Sequence, residues 1–209
     1  VLVLNEGQPN LYIHAAFRTY NGFRLNQGTM ADFPKDRSQY NLVILNGVTS
    51  ISAALGEKMA EAQLEGQTIC IFPGKTTNIQ QLNEGLKLLG DVQITGVDTT
   101  VQTASLLQQG SVLVKDLFEK IPDNVQLPVA NWHYTIASGL TANQQSVLGF
   151  RNGDPLLARY SPSVGHLYLC ATSADLQSGN FPGSYFFTPF LYLMATQSGG
   201  GSVFAVTTG

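Results

Sequence analysis

Continuous apolar runs alternate with amphipathic segments over the first 90 residues, and this pattern strongly restricts the folds open to the chain. The apolar runs are VLVLNEG, NLVILNG and TICIFPG, and each ends at a glycine. The helical patterns that follow the second and third runs are SAALGEKMAEAQLEG and NIQQLNEGLKLLG. Strands that are apolar along their whole length are typical of a parallel sheet covered on both faces. The sequence therefore predicts a doubly wound, mostly parallel, flavodoxin-like sheet with helices on both faces.

The second half of the chain is less regular. Asn152-Gly153 predicts a hairpin turn within RNGD, because this dipeptide readily adopts the positive φ angles of tight turns. SVLVKDLFEKIP, residues 111–122, predicts a short helix, and GSYFFTPFLYLMATQ predicts a closing helix before a last strand, SVFAVT. FRL is a short strand candidate, and VQLPVANWHYTI is an edge strand or a loop because it contains Pro128. Since neither a Ser/Gly linker before residue 198 nor a repeat interrupts the chain, residues 1–209 are predicted to form a single domain.

Composition and charge exclude several classes of function. Hydrophobic residues make up 44% of the chain and charged residues 12%, which is typical of a globular protein with a large core. The net charge is −3 without a basic cluster, so we expect no nucleic-acid partner. No run of about 18 apolar residues is present. Both ends of the sequence look cut from something longer, which suggests that any membrane attachment would come from segments absent here.

GKT at residues 74–76 resembles the end of a phosphate-binding loop. The full motif requires a glycine five residues before Gly74, where this chain has Ile69 inside an apolar run. Pro73 also lacks the N–H group that such a loop needs. A strand-to-helix turn, with Thr77 or Asn78 as the helix cap, explains the stretch better. Lys75 and Thr76 remain candidates for contacting a ligand at that helix start.

No catalytic constellation is recognisable in the sequence. Cys70 and Cys170 both lie within apolar runs, where a thiol is expected to be buried and unreactive. The three histidines show no metal-ligand spacing, and we predict neither a metal nor a cofactor. Asp175 follows the apolar run LYLCA, at a strand end where ligands bind in open α/β sheets. Together with Asn46, after the NLVIL run, it completes the set of predicted ligand-binding residues, which are Asn46, Lys75, Thr76 and Asp175.

The stretches YNLVILNGVTSIS…LEGQTICIFPGKTTNIQQLNEGL and VLGFRNGDPLLARY…GHLYLCATSADLQSGNFPGSYFFTPFLYLMA resemble the class I glutamine amidotransferase-like domain of aerotolerance-regulator-type membrane proteins. This resemblance implies a domain on the periplasmic side of the cytoplasmic membrane. The chain departs from active amidotransferases because its elbow has no cysteine and ATSAD replaces the catalytic histidine and glutamate. The resemblance therefore implies fold and location, without glutaminase activity.

The sequence is consistent with three functions. The first is a non-catalytic module that binds a protein partner or a small ligand within a cell-envelope membrane protein. The second is a hydrolase or transferase that uses Asp175, His133 or His166, which would require two of these residues within hydrogen-bond reach. The third is a module that binds a sugar or nucleotide through aromatic residues, for which the candidates are Trp132, Tyr134, Tyr185, Phe186 and Phe187.

Overall fold

A computed structural model describes residues 1–18, 22–35, 39–75, 78–105, 124–137 and 144–197. Its helices are α1 (Leu11–Arg18), α2 (Ala53–Leu64), α3 (Ile79–Gly90) and α4 (Phe187–Thr196). Its strands are β1 (Leu2–Asn5), β2 (Asn26–Gly28), β3 (Leu42–Val48), β4 (Thr68–Pro73), β5 (Ile94–Asp98), β6 (Gln102–Ser105), β7 (Val129–Ala130), β8 (His133–Ile136), β9 (Gln144–Phe150), β10 (Pro155–Tyr160) and β11 (Leu167–Cys170).

Nine of the described strands form one mixed sheet in the order β2-β1-β3-β4-β11-β10-β9-β6-β7. The pairs from β2 to β11 are parallel, whereas those from β11 to β7 are antiparallel. β11 is the junction, because it pairs in parallel with β4 and antiparallel with β10. The remaining strands, β5 and β8, form a separate antiparallel pair.

The predicted doubly wound, mostly parallel, flavodoxin-like fold is therefore wrong. The helix-linked pattern of the first 90 residues does not continue, and the second half of the chain contributes antiparallel strands to the same sheet. A hairpin supplies β9 and β10, with Asn152-Gly153 in its turn as predicted and Gly153 at φ 96°. A short turn joins antiparallel strands, whereas parallel strands require a long crossover.

The sheet is covered on both faces, and each face has its own hydrophobic cluster. One cluster packs α1 and α4 against the sheet and includes Cys70, Cys170 and Phe190. The other packs α2 and α3 against it and includes Met59 and Leu86. The β5–β8 pair contributes Ile94, Trp132, Tyr134 and Ile136 to that second cluster. Fully apolar strands such as β3 and β4 are thus buried from both sides, as their composition requires.

Asparagine and serine side chains cap the N-termini of three of the helices. Asn10 Oδ1 accepts hydrogen bonds from the N–H groups of Tyr12 and Ile13 at α1. Ser52 caps α2, and Asn78 caps α3 by accepting from Gln81 N–H. These caps satisfy N–H groups that have no partner within the helix.

One further predicted strand is misplaced in the sequence, and two further predicted elements fall outside the described residues. The expected FRL strand, residues 23–25, lies three residues too early, since β2 begins at Asn26, whose backbone N–H donates to Val1 O. The expected helix over residues 111–122 and the last strand, SVFAVT, lie outside the described residues.

Candidate functional site

Three asparagine side chains connect the ends of neighbouring strands at the carboxyl edge of the parallel strands. Asn46, two residues before the end of β3, donates from Nδ2 to Asn5 Oδ1, at the end of β1, over 3.0 Å. Asn10 Nδ2 lies 3.4 Å from Asn46 Oδ1 and donates to Ala174 O, beyond the end of β11, over 2.5 Å. We call Asn5, Asn10 and Asn46 the amide cluster. It links three chain segments with neutral groups alone.

The predicted site residue Asn46 is therefore a member of a structural network. Its side chain is buried, at 7% exposure, and both of its amide atoms contact other asparagines. Asn5 and Asn10 are not among the four ligand-binding residues predicted from the sequence. The signal available for them was their position, with Asn5 closing an apolar run and Asn10 preceding a helix.

Asp175 organises the loop after β11. Its carboxylate accepts from Ser178 N–H over 2.8 Å and from Ser178 Oγ over 3.0 Å. The same serine oxygen accepts from Trp132 Nε1 over 3.1 Å. Asp175 thus holds a turn together and anchors the buried Trp132 through Ser178.

Lys75 lies at the same edge, after β4, and its side chain is exposed. The N–H group of the preceding Gly74 donates to Val48 O, so it is not free to bind a phosphate. Gly74 O and Lys75 O both accept from the hydroxyl of Tyr134. Thr76, the fourth predicted ligand-binding residue, lies outside the described residues.

Three large apolar side chains are exposed around the amide cluster. Leu11 follows Asn10 at the start of α1 and is 78% exposed, and Leu176, two residues after Ala174, is 55% exposed. Tyr185, which is 51% exposed, follows the short 3-10 turn Phe181–Gly183, and this turn contacts α1. We call Leu11, Leu176 and Tyr185 the apolar rim. Exposed apolar groups bordered by polar ones are typical of interaction sites.

The candidate nucleophiles are inaccessible. Cys70 and Cys170 are free thiols with no exposed surface. Burial raises the pKa of Cys70, with a further contribution from Cys170, and burial raises the pKa of Cys170 to about 12. Both cysteines are therefore protonated thiols near neutral pH and lack nucleophilic character.

The structure does not bring together the residues proposed for a hydrolase. His133 Nε2 lies 3.1 Å from Asp154 Oδ2, at the β9–β10 turn. His166 contacts Arg159 and Ser161, and Asp175 bonds to Ser178. Each of these three side chains has a different partner. Within the described ranges, no group of three His, Cys, Asp or Glu residues is arranged to hold a metal ion.

The residues proposed for stacking on a sugar or nucleotide are mostly in the core. Trp132, Tyr134, Phe186 and Phe187 are buried, and only Tyr185 of this set is exposed. A groove of about 660 Å³ lies along α3, away from the amide cluster, and none of the described residues lining it is aromatic. Its Asn83 amide is already bonded to both backbone groups of Ile94.

Comparisons with known proteins identify the fold only. No family model and no curated protein sequence matches the chain. The structure is similar to the Salmonella typhimurium cytoplasmic protein STM3548, with a TM-score of 0.71 and 12% identity over 93% of this chain and 96% of that one. It is similar to the cytoplasmic protein STM1381 of the same species, with a TM-score of 0.70 and 13% identity over 94% of this chain and 98% of that one.

A segment of a larger enzyme has a similar structure. The β-galactosidase from Bacillus circulans sp. alkalophilus matches 93% of this chain but only 30% of its own length, with a TM-score of 0.61 and 12% identity. At this level of identity the similarity carries no information about activity.

These comparisons correct the family and the location predicted from the sequence. The assignment to amidotransferase-like domains of aerotolerance-regulator-type proteins is wrong, because no family model supports it and the similar structures have other descriptions. The predicted periplasmic, membrane-anchored location is likewise wrong, since STM3548 and STM1381, which are matched over 96% and 98% of their length, are described as cytoplasmic proteins. None of the described helices is long and apolar enough to cross a bilayer.

Proposed function

We propose that this protein is a non-catalytic binding module that docks a protein partner through the apolar rim. The observation that carries this proposal is the exposure of Leu11, Leu176 and Tyr185 around one edge of the sheet. A leucine or tyrosine side chain that is removed from water on binding contributes roughly 1.5–3 kcal/mol. Three such anchors bordered by polar groups resemble the centre of a protein interface.

The amide cluster supports this role by keeping the edge rigid. Asn10 joins the start of α1 to the loop after β11, and these two segments carry Leu11 and Leu176. Rigid anchors lose little conformational entropy when a partner binds, which favours affinity. The amide groups are neutral, so the surface does not require a partner of opposite charge.

Polar groups at this edge favour docking over catalysis. Asp175 is bonded to Ser178, and Glu6 accepts from both the N–H and the hydroxyl of Thr49. Ser173 Oγ donates to Pro73 O over 2.6 Å. These groups are committed to holding loops together, whereas a general acid or base must be free to reach a substrate.

Site-specific photo-crosslinking in the source cells tests the proposal. A photoreactive phenylalanine analogue at Tyr185 is expected to give a discrete crosslinked protein band. The matched control places the same analogue at Leu64, which is 68% exposed on α2 and distant from the apolar rim in the fold. Leu176→Ser should abolish the Tyr185 band, because it removes an anchor without disturbing the core.

Two results would contradict docking at this surface. One is equal crosslinking from Tyr185 and Leu64, which would indicate random collision. The other is a Tyr185 band that persists in both Leu11→Ser and Leu176→Ser. In each case a circular dichroism spectrum identical to that of the original protein shows that the variant is folded.

A further inference from the structure

A second cluster of polar side chains lies at the opposite edge of the sheet, where β10 ends and β11 begins. Arg159 is the penultimate residue of β10, Ser161 follows that strand, and His166 precedes β11. Arg159 pairs with Tyr168 of β11 in the ladder. The β10–β11 ladder therefore fixes the position of Arg159. The cluster lies at the opposite end of the strands from the amide cluster.

Hydrogen bonds orient the three side chains. Arg159 Nη2 lies 2.8 Å from His166 Nε2 and 3.4 Å from Nδ1, so the bond goes to Nε2. Ser161 Oγ lies 3.1 Å from His166 Nδ1. Burial, together with the adjacent guanidinium, lowers the pKa of His166 to about 4. The imidazole is therefore neutral, with Nε2 accepting from Arg159 and Nδ1–H donating to Ser161.

Within the described part of the chain, this arrangement leaves two donors without acceptors, the Ser161 hydroxyl and Arg159 Nε. Because Ser161 Oγ accepts from His166, its own hydroxyl hydrogen is free to donate. Arg159 Nε is buried and has no hydrogen-bond partner, and no carboxylate among the described residues forms an ion pair with Arg159. The neighbouring Tyr168 does not supply negative charge either, because burial raises its pKa.

A half-buried guanidinium without a counter-charge is costly. Removing a charge from water is unfavourable unless an opposite charge and hydrogen bonds compensate it. The guanidinium fork fits carboxylate and phosphate oxygens through two parallel N–H bonds. The cluster thus has the hydrogen-bond donors and the positive charge that an oxyanion requires.

We propose that Arg159, Ser161 and His166 form a binding site for the oxyanion group of a small molecule, a carboxylate or a phosphate. Arg159 supplies the positive charge and the fork, and Ser161 donates a further hydrogen bond. His166 is a positioning residue, since it holds Arg159 Nη2 and directs the Ser161 hydroxyl outward. This site is separate from the proposed docking surface and stands or falls independently of it.

NMR titration with two probes, inorganic phosphate and acetate, tests this site. At least one probe should shift the Arg159 side-chain and His166 ring signals saturably, and the ratio of the two affinities distinguishes a phosphate site from a carboxylate site. Bound anion should also raise the pKa of His166, because negative charge stabilises the imidazolium. Arg159→Gln should weaken binding at least tenfold.

The matched control is Arg151→Gln, since Arg151 is an exposed arginine in the β9–β10 turn. It should bind both probes as the original protein does. If Arg159→Gln does not fold, Ser161→Ala decides the question through a several-fold loss of affinity with an unchanged fold. Shifts of equal size with chloride, unchanged binding in a folded Arg159→Gln, or unchanged binding in Ser161→Ala would overturn the proposal, as would shifts that never saturate.

Discussion

Cys70 shows how position within a strand determines the chemistry of a side chain. It occupies the middle of β4 with no exposed surface and faces the same cluster as Cys170. Its location was evident from the sequence, because residues on both sides of it are apolar. A thiol in this setting acts as a small hydrophobic group.

We predict that neither cysteine reacts with a thiol reagent until the protein unfolds, and that Cys70→Ser folds with reduced stability. The introduced hydroxyl would be buried among apolar groups, at a cost of about 1–3 kcal/mol. Labelling rates measured against denaturant concentration test the first part, and urea unfolding tests the second. Fast labelling of the native protein would contradict the burial of both thiols.

His166 makes the stability of the folded protein depend on pH. Its pKa is lowered from 6.5 to about 4 in the folded protein, so the unfolded chain binds the proton more readily. Stability contributed by the neutral imidazole is therefore fully present above pH 6.5 and is lost as the pH falls towards 4. Since His166 is half-exposed, solvent screening reduces the size of this effect.

We predict that the urea midpoint decreases over this interval more in the original protein than in His166→Gln. Glutamine preserves an acceptor for Arg159 but does not titrate. Parallel unfolding curves at several pH values provide the measurement. A decrease of equal size in both proteins would assign the pH dependence to other groups.

At the scale of elements, two asparagine caps have the same local role but different tertiary roles. Asn10 and Asn78 each accept N–H bonds at a helix start. Asn10 also donates from Nδ2 to Ala174 O, whereas no such bond is found for Asn78 within the described part of the chain. The sequence indicated Thr77 or Asn78 as the cap of α3 but could not indicate the second bond of Asn10, because Ala174 is 164 residues away.

We predict opposite effects of the same substitution at these two caps. Asn78→Asp should leave stability unchanged or raise it slightly, because aspartate caps well and its charge suits a helix N-terminus. Asn10→Asp should lower stability by about 1–3 kcal/mol, since a carboxylate would face the Ala174 carbonyl in place of a donor. Thermal unfolding of both variants provides the test. Equal effects would show that Asn10 acts only as a cap.

For the whole molecule, the elements of residues 1–90 were more predictable than the architecture. The apolar runs indicated β1, β3 and β4 because each is buried on both faces, and the periodicity indicated α2 and α3. That β11 returns to pair with β4, and that four antiparallel strands extend the sheet beyond it, depends on contacts between distant residues. Local pattern does not encode which strands become neighbours, so the predicted fold class was wrong.

The same limit applies to the candidate site. Asp175 lies after β11 as predicted, whereas Asn46 lies within β3 and not after it. The predicted ligand contacts of both residues required side chains that were free of partners within the protein. The structure gives each of them partners within the protein, Asn5 for Asn46 and Ser178 for Asp175. Hydrogen bonding between residues that are far apart in sequence determines whether a polar side chain at a strand end is available.

The pairing of β4 with β11 makes the parallel and antiparallel halves one cooperative unit, and this leads to a prediction for Leu157→Ala. Leu157 is fully buried in β10 and pairs with Cys170 of β11. Its truncation should cost about 2–5 kcal/mol. Amide protons of β1 and β3 should then lose the same exchange protection as those of β10, because the whole sheet unfolds together.

The control for this prediction is Leu64→Ala, at an exposed position, which should change the protection free energy of no amide by more than about 0.5 kcal/mol. If β1 and β3 kept their protection while β9 and β10 lost theirs, the halves would unfold independently and the junction at β11 would not couple them.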